Sequence, residues 1–381
     1  MNQTKQTDKT IKICFVVLTA YPILSGKNLG HVIGPDTHNV LLAQELMKHD
    51  FKVAFVTYDE GGPPIEYIDG LEIIKTYQLR DIRHLNPALK AFRIWKAMRK
   101  AKADIYFYHG GAPGVVSLFS RLLRKKSVWF VTKMPYVYGE FKGLTLTERL
   151  LHWLDIHLFD VFLVPNVDEK QALKSNFGRE SIFINHHIMI PEQGMPEKAK
   201  PPIIIWVGSM STGKQPELLL ELAKEIPEAS FQMIGGVGGG DEKRYNKIKE
   251  AAEKIQNVEF LGSIFPYHAI DKYYAQASIL VNTAKYESYP PAAVLQAWAN
   301  YAPIVTLNSN EYADEIMYRY KLGFHSRTLQ QLKQDVKMLL EDEQLLRQMG
   351  ENARRYVEEN HDISKIVKQH IEVLNQLVKS K

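Results

Sequence analysis

The chain has one cysteine, Cys14, in 381 residues. That excludes an internal disulfide framework, and the apolar run around Cys14 marks it as a small core residue rather than a nucleophile. No apolar run reaches the roughly 18 uninterrupted residues that a membrane-spanning helix needs. Residues 13–24 are broken by Pro22, and residues 150–164 contain His152, Asp155, His157 and Asp160. The first ten residues mix Lys with Asp, which does not suit a secretory signal. No Asp-X-Asp pair is present, and His186 and His187 have no Cys or carboxylate at ligand spacing, so no metal site is expected. The run Gly235-Gly236-Val237-Gly238-Gly239-Gly240 lacks the Gly-Lys-Ser/Thr ending of a Walker loop and does not follow the first strand. It reads as a flexible loop near a nucleotide rather than as a phosphate cradle. A reducing, cytoplasmic setting fits these absences.

What is present is ordinary globular composition, with 45% hydrophobic and 24% charged residues, in a chain longer than one core usually supports. Two domains are therefore expected. The formal net charge of +5 is unevenly placed: residues 1–191 hold 25 Lys and Arg against 18 Asp and Glu, and residues 192–381 hold 23 against 25. In the first half, Lys90, Arg93, Lys96, Arg99, Lys100 and Lys102 share one helical stretch with Leu89, Phe92, Ile94, Trp95 and Met98, and residues 121–126 add Arg121, Arg124, Lys125 and Lys126. Such a basic, aromatic helix is either a solvated outer face or a surface for anionic lipid, at ~1 kcal/mol per basic side chain near the membrane. Peripheral attachment to the inner face of a membrane is the option these clusters raise. Nucleic acid is not expected as a partner.

Strand and helix patterns alternate in both halves, which predicts parallel sheets with right-handed crossovers. Strands are expected at 12–19, 52–58, 105–108, 127–131 and 161–164, with a helix at 39–48. After the polar, Pro-rich stretch 191–202 they are expected at 203–207, 231–234, 258–261 and 279–282, with helices at 216–225, 242–255 and 268–275. The expected organisation is an α/β domain over residues 1–191, a linker at 192–202, a second α/β domain over 203–355 and a final helix in 356–381 that packs back on the first domain. Ile363, Ile366, Val367, Leu374, Leu377 and Val378 share one face of that helix, with His370 its polar member. Two Rossmann-like domains would leave a cleft between facing carboxyl ends of their strands, a seat for a nucleotide-linked substrate.

The most informative stretch is residues 279–298. It is an apolar strand, a loop carrying Glu287, and a Pro290-Pro291 turn that opens a helix containing Gln296. The strand's end and the free amides of the next helix would converge on one ligand. With Asn300-Tyr301-Ala302-Pro303-Ile304-Val305 after it, the stretch resembles the signature of the retaining glycosyltransferases of family 4. That signature has two glutamates separated by seven residues, a helix, and a small-Pro-apolar-apolar strand start. Here Gln296 replaces the second glutamate, and one extra residue separates it from Glu287.

The resemblance implies the glycosyltransferase B fold, with a nucleotide-diphosphate sugar bound mainly to the second domain and an acceptor to the first. Lys214, before the helix after Gly208, would neutralise the donor diphosphate. Ser209 stands where the family commonly has an arginine. The loop from Gly30 to Asp36, with Gly34, would let backbone amides approach the diphosphate; Asp36 itself reads as a helix N-cap. His109, at a strand's carboxyl end, would bond the donor sugar. His186 and His187 are expected to pack between the domains. Phe265 would pack the nucleobase. Glu287 would meet the sugar hydroxyls or the developing charge, Tyr289, Pro291 and Ala292 would line the donor site, and Gln296 would take the ribose hydroxyls. The expected activity is retaining transfer of a sugar to a glycan, lipid-linked or small-molecule acceptor, with no cofactor and no essential metal. A nucleotide-sugar epimerase or phosphorylase on the same fold, and a donor-binding subunit of weak activity, are the alternatives.

Overall fold

A computed structural model describes residues 10–29, 34–82, 84–131, 135–238, 240–285, 290–307 and 313–380. The chain divides into two compact units, one of residues 1–25, 35–185 and 364–381, the other of residues 26–34 and 186–363. The passage at 185/186 lies six residues before the expected seam, and residues 26–34 belong with the second unit.

The first unit is built on β1 (Lys12–Val16), α1 (Tyr21–Ser25), α2 (Gly34–Lys48), β2 (Lys52–Thr57), β3 (Ile65–Ile68), β4 (Leu71–Lys75), α3 (Pro87–Ala101), β5 (Ile105–Tyr108), α4 (Val115–Leu122), β6 (Lys126–Phe130), α5 (Leu146–Leu158), β7 (Val161–Val164), α6 (Val167–Phe177) and β8 (Ile182–Phe183). Its sheet runs β3-β4-β2-β1-β5-β6-β7-β8, parallel except where β3 turns back on β4. Near-continuous apolar runs such as KICFV in β1 and KVAFVT in β2 are what a sheet covered on both faces requires. Strand order reverses beside β1, which has β2 on one side and β5 on the other. A crevice at the carboxyl ends of β1 and β5 is the position such sheets use for ligands. The hairpin of β3 and β4 was not visible in the strand-helix alternation, because β3 is an exposed edge with Tyr67 facing water.

The second unit comprises β9 (Ile203–Val207), α7 (Pro216–Glu225), β10 (Ser230–Ile234), α8 (Glu242–Ala252), β11 (Val258–Gly262), α9 (Asp271–Gln276), β12 (Ala277–Asn282), α10 (Ala292–Ala299), β13 (Ile304–Thr306), α11 (Tyr318–Tyr320), β14 (Gly323–His325), α12 (Leu329–Glu341) and α13 (Glu343–Asn360). Its parallel sheet runs β11-β10-β9-β12-β13-β14, so its reversal lies between β9 and β12. Trp206 and Trp298 are buried in the two cores that sandwich this sheet. The last helix, α14 (Ile363–Lys379), belongs to the first unit from Ser364 onward. His370 is fully buried in it, with its ring near those of Phe107 and Phe130; burial lowers its pKa to about 3 and keeps the imidazole neutral. Val378, expected on the buried stripe, is exposed near the helix end.

One buried carboxyl makes the first unit pH-sensitive. Asp155 on α5 is fully buried, accepts from Ser117 Oγ at 2.7 Å and from the Gly114 amide, and burial outweighs both bonds to raise its pKa from 3.8 to about 7. The sign follows from linkage: between about pH 4 and 7 the folded state keeps a proton that the unfolded chain has lost, so stability falls as pH rises through that window. Three pH units at ~1.4 kcal/mol each put the effect on the order of 4 kcal/mol. Asp155→Asn keeps an acceptor for Ser117 and removes the charge. Melting curves of wild type and variant should therefore diverge from pH 5 to pH 8, with Asp155→Asn the more stable at pH 8. Parallel pH profiles would show that Asp155 does not titrate in this range.

Candidate donor-binding site

In the second unit two loops meet where the strand order reverses. The loop of residues 208–214 leaves β9, and the segment of residues 283–285 leaves the adjacent β12. The β9 loop is held by most of its carbonyl groups and by four of its amides. Ser209 O accepts from the Ser211 amide, Ser211 O from the Lys214 amide, Met210 O from Arg244, and Gly213 O from the Lys285 amide at 2.8 Å. Thr283 Oγ1 donates to the carbonyls of Lys214 and Gln215 at 2.7 and 2.9 Å, and itself accepts from Trp206 Nε1 at 2.9 Å. With the carbonyls turned into the protein, the amides of Ser209, Thr212 and Gly213 bond no other described residue. A turn with inward carbonyls and available amides, leading into a helix N-terminus, is an anion-binding arrangement. α7 supports it: Pro216 is its first residue, Gln215 precedes it in the left-handed region at φ 49°, and no side chain caps it.

Lys214 brings the positive charge. A Cβ placed on Gly208 would lie 3.7 Å from Lys214 Cδ, so the lysine stem passes over this glycine. Gly208, Ser209 and Lys214 thus belong to one built loop. Thr283 and Trp206, which fix it, escaped the sequence reading. Nothing local in Asn282-Thr283-Ala284 announces a hydroxyl that serves carbonyls some 68 residues earlier.

The glycine-rich segment after β10 is a packing surface rather than the flexible loop its composition suggested. Gly208 N donates to Ile234 O at 3.0 Å, Met210 N to Gly236 O at 2.9 Å, and Gly235 N to Gly262 O at 2.9 Å. A Cβ at Gly235 would stand 1.7 Å from Gly208 O, and one at Gly238 would stand 2.7 Å from Ser211 Cβ. Glycine is needed here so that two loops can touch backbone to backbone.

Pro291 is the N-cap residue of α10, Ala292 its first residue, and no side chain caps it. Gln296 follows one turn later, half-buried. Phe265 is half-buried in the loop after β11. Glu287 and Tyr289 lie outside the described residues, as does the stretch 30–33 of the expected glycine loop. Gly34 opens α2. Asp36 is therefore not its N-cap but its third residue, buried, with Thr19 donating to a carboxyl that burial raises to about 7.

In the first unit, His109 directly follows β5 and is buried. Asn39 Nδ2, which can only donate, lies 3.0 Å from His109 Nδ1, so the ring proton sits on Nε2. Burial, helped by nearby His38, lowers its pKa to about 3. His109 is consequently a neutral hydrogen-bond donor at a strand's carboxyl end rather than a cation. His186 and His187 are buried in the second unit, where His186 O faces His361 Nδ1 at 2.8 Å. Among the described residues no group of three or more His, Cys, Asp or Glu is placed to hold a metal ion.

Comparison with known proteins decides the family. A sequence model of "Glycosyl transferases group 1" matches residues 192–356, and one of "Glycosyltransferase Family 4" matches residues 32–187. The chain belongs to the family 4 glycosyltransferases. It is 22% identical over 238 residues to the O-antigen biosynthesis glycosyltransferase WbnH of Escherichia coli, and to the probable O-antigen biosynthesis glycosyltransferase WbiN of the same organism. Each match covers 59% of this chain and 66% of the relative, just under two thirds of its length. Among solved structures, sucrose-phosphate synthase from Thermosynechococcus elongatus aligns with a TM-score of 0.77 at 16% identity, over 97% of this chain and 100% of the other. Anabaena HepE, solved with UDP and glucose, aligns with a TM-score of 0.73 at 15% identity, over 96% and 100%. These likenesses give the chain the glycosyltransferase B fold.

Proposed function

We propose that this transferase moves a sugar, with retention of its anomeric configuration, from a nucleotide-diphosphate sugar to a hydroxyl of a cell-envelope glycan or lipid-linked acceptor. The observation that carries the reading is the loop of residues 208–214, which sets the amides of Ser209, Thr212 and Gly213, bonded to no other described residue, beside the positively charged Lys214 and ahead of an uncapped helix N-terminus. The acceptor oxygen bonds to C1 of the sugar as the bond from C1 to the diphosphate breaks, and the hydroxyl proton leaves with the departing phosphate. Charge gathers on that phosphate, where preorganised amides and an ammonium contribute most. Glu287 is assigned to the sugar, His109 to one of its hydroxyls through Nε2–H, Gln296 to the ribose, and Phe265 to the base. The O-antigen relatives support an envelope glycan as product.

A panel of nucleotide sugars tests this, beginning with UDP-glucose because HepE is solved with UDP and glucose. A donor at ~100 times its dissociation constant should add ~2.7 kcal/mol of stability and so raise the melting temperature. Transfer of label from that donor to a glycan acceptor, with the same anomeric configuration in product and donor by NMR, completes the test. An epimerised donor without transfer, or hexose 1-phosphate formed in the presence of inorganic phosphate, would favour the epimerase or phosphorylase reading. Binding without turnover would favour a donor-binding subunit.

A cytoplasmic location with peripheral attachment to an anionic membrane is part of the proposal. No helix among the described residues is long and apolar enough to cross a membrane. On the three successively packed helices α3, α4 and α5, Phe92, Leu122, Leu146, Leu150 and Trp153 are at least half exposed, beside the basic side chains of α3, which contains no acid. Exposed apolar groups ringed by Lys and Arg suit anionic headgroups. Co-sedimentation with phosphatidylglycerol vesicles should be strong at low salt and weak at high salt, and Lys96→Glu combined with Lys100→Glu should abolish it. Equal recovery with neutral and anionic vesicles would reduce this face to a solvated surface.

A further inference from the structure

Arg244 takes no part in the mechanism above, yet it lies against its central loop. It sits in the first turn of α8, beyond the carboxyl end of β10, and its Nε donates to Met210 O at 3.0 Å. Its terminal nitrogen pairs with Glu217 in the first turn of α7. The Glu217 side chain is 44% exposed, and a pair so open to water is worth at most ~1 kcal/mol. Stability is therefore a weak reason to hold a guanidinium at this place. Two of its five N–H donors are used by Met210 and Glu217, and its side chain is 20% exposed. Met210 adjoins Ser209, the position at which the resembling signature commonly has an arginine.

We propose that Arg244 is the second cation of the donor-phosphate site, held by Glu217 until the nucleotide arrives and replacing in space the arginine absent at Ser209. The inference rests on the reading of residues 208–214 as the donor-phosphate loop. The incoming diphosphate competes with Glu217 for the guanidinium, while the bond to Met210 O keeps that guanidinium beside the loop. Planar, multiply donating guanidinium suits phosphate oxygens, and a fixed one loses less freedom on binding than a free lysine. Lys285 is the rival cation. Its amide is tied to Gly213 O, but its side chain is exposed with no bond to another described residue.

Calorimetric titration of the full chain with UDP and GDP, and with uridine and guanosine as uncharged controls, tests the proposal on Arg244→Gln, Glu217→Gln, Lys285→Gln and the double variant Arg244→Gln/Ser209→Arg. Arg244→Gln should weaken diphosphate binding at least tenfold and leave nucleoside binding unchanged. The double variant should recover most of that loss, because charge returns from the other side of the loop. Glu217→Gln should tighten diphosphate binding severalfold. Nucleoside and diphosphate affinities that fall together in Arg244→Gln would reduce Arg244 to a clamp, and a loss confined to Lys285→Gln would assign the charge to the rival; either result overturns the proposal. If the wild type binds UDP or GDP and Arg244→Gln binds it equally, the proposal alone fails. If the wild type binds neither, the donor-phosphate reading fails as well.

Discussion

Lys214→Ala is expected to lower sugar transfer a hundredfold or more and to leave the melting temperature within a few degrees of wild type. The two parts of this expectation have separate causes. The loop keeps its shape through main-chain groups and Thr283: the Lys214 amide donates to Ser211 O, and the Lys214 carbonyl accepts from Thr283 Oγ1, contacts that alanine retains. The ammonium is what is lost, and transition-state charge stabilisers of this kind are worth roughly a hundredfold to a thousandfold in turnover. In the proposed reaction negative charge grows on the diphosphate as the sugar leaves, so turnover should suffer more than donor affinity and kcat should fall further than KM rises. Lys214→Arg restores charge with different reach and should recover part of the activity. A well-folded Lys214→Ala enzyme that turns over at the wild-type rate would remove this lysine from the chemistry.

The repeating elements were readable because parallel strands covered on both faces must be apolar throughout. Residues 105–108, 161–164 and 203–207 were located to the residue, and the helix at 216–225 was marked by Pro216 at its first position. Short or exposed elements were not readable. β8 has two residues and both are exposed, and β14 has three, too few for a period to show; β13, also of three, was marked only by the strand start in the signature at residues 302–305. Asp36 misled because a helix-starting residue type also occurs inside a first turn, and only its burial and the bond from Thr19 separate the two cases.

For the candidate site, that Gly208, Ser209 and Lys214 share a loop after a strand and before a helix was legible. Its fixation was not, because it depends on partners distant in sequence. Thr283 and Arg244 bond to it and Trp206 Nε1 donates to Thr283, and none of the three stands in a pattern that a linear reading detects. Glycine composition was also ambiguous. Gly235 and Gly238 could equally serve movement or close packing, and only distances distinguish them.

Gly235→Ala is expected to be among the most damaging single substitutions in the second unit. The new methyl carbon would lie 1.7 Å from Gly208 O and 2.7 Å from Gly208 C, both backbone atoms that no side-chain rotation can move aside. Relief requires the loop after β9 to separate from the end of β10. That motion breaks the bonds from Gly208 N to Ile234 O and from Met210 N to Gly236 O, and strains the one from Gly235 N to Gly262 O. Overpacking combined with lost buried hydrogen bonds puts the cost at about 4 kcal/mol or more. For a unit of this size that corresponds to a drop of ~10 °C in melting temperature. The damage falls on the segment that presents Lys214, so affinity for nucleoside diphosphate should be lost even below the melting transition. Gly213→Ala serves as the control in the same loop, since its Cβ would meet nothing nearer than Ser211 Oγ at 4.0 Å. Melting and UDP titration of the two variants side by side decide the matter: if Gly235→Ala melts and binds like Gly213→Ala, the two loops are not packed backbone to backbone.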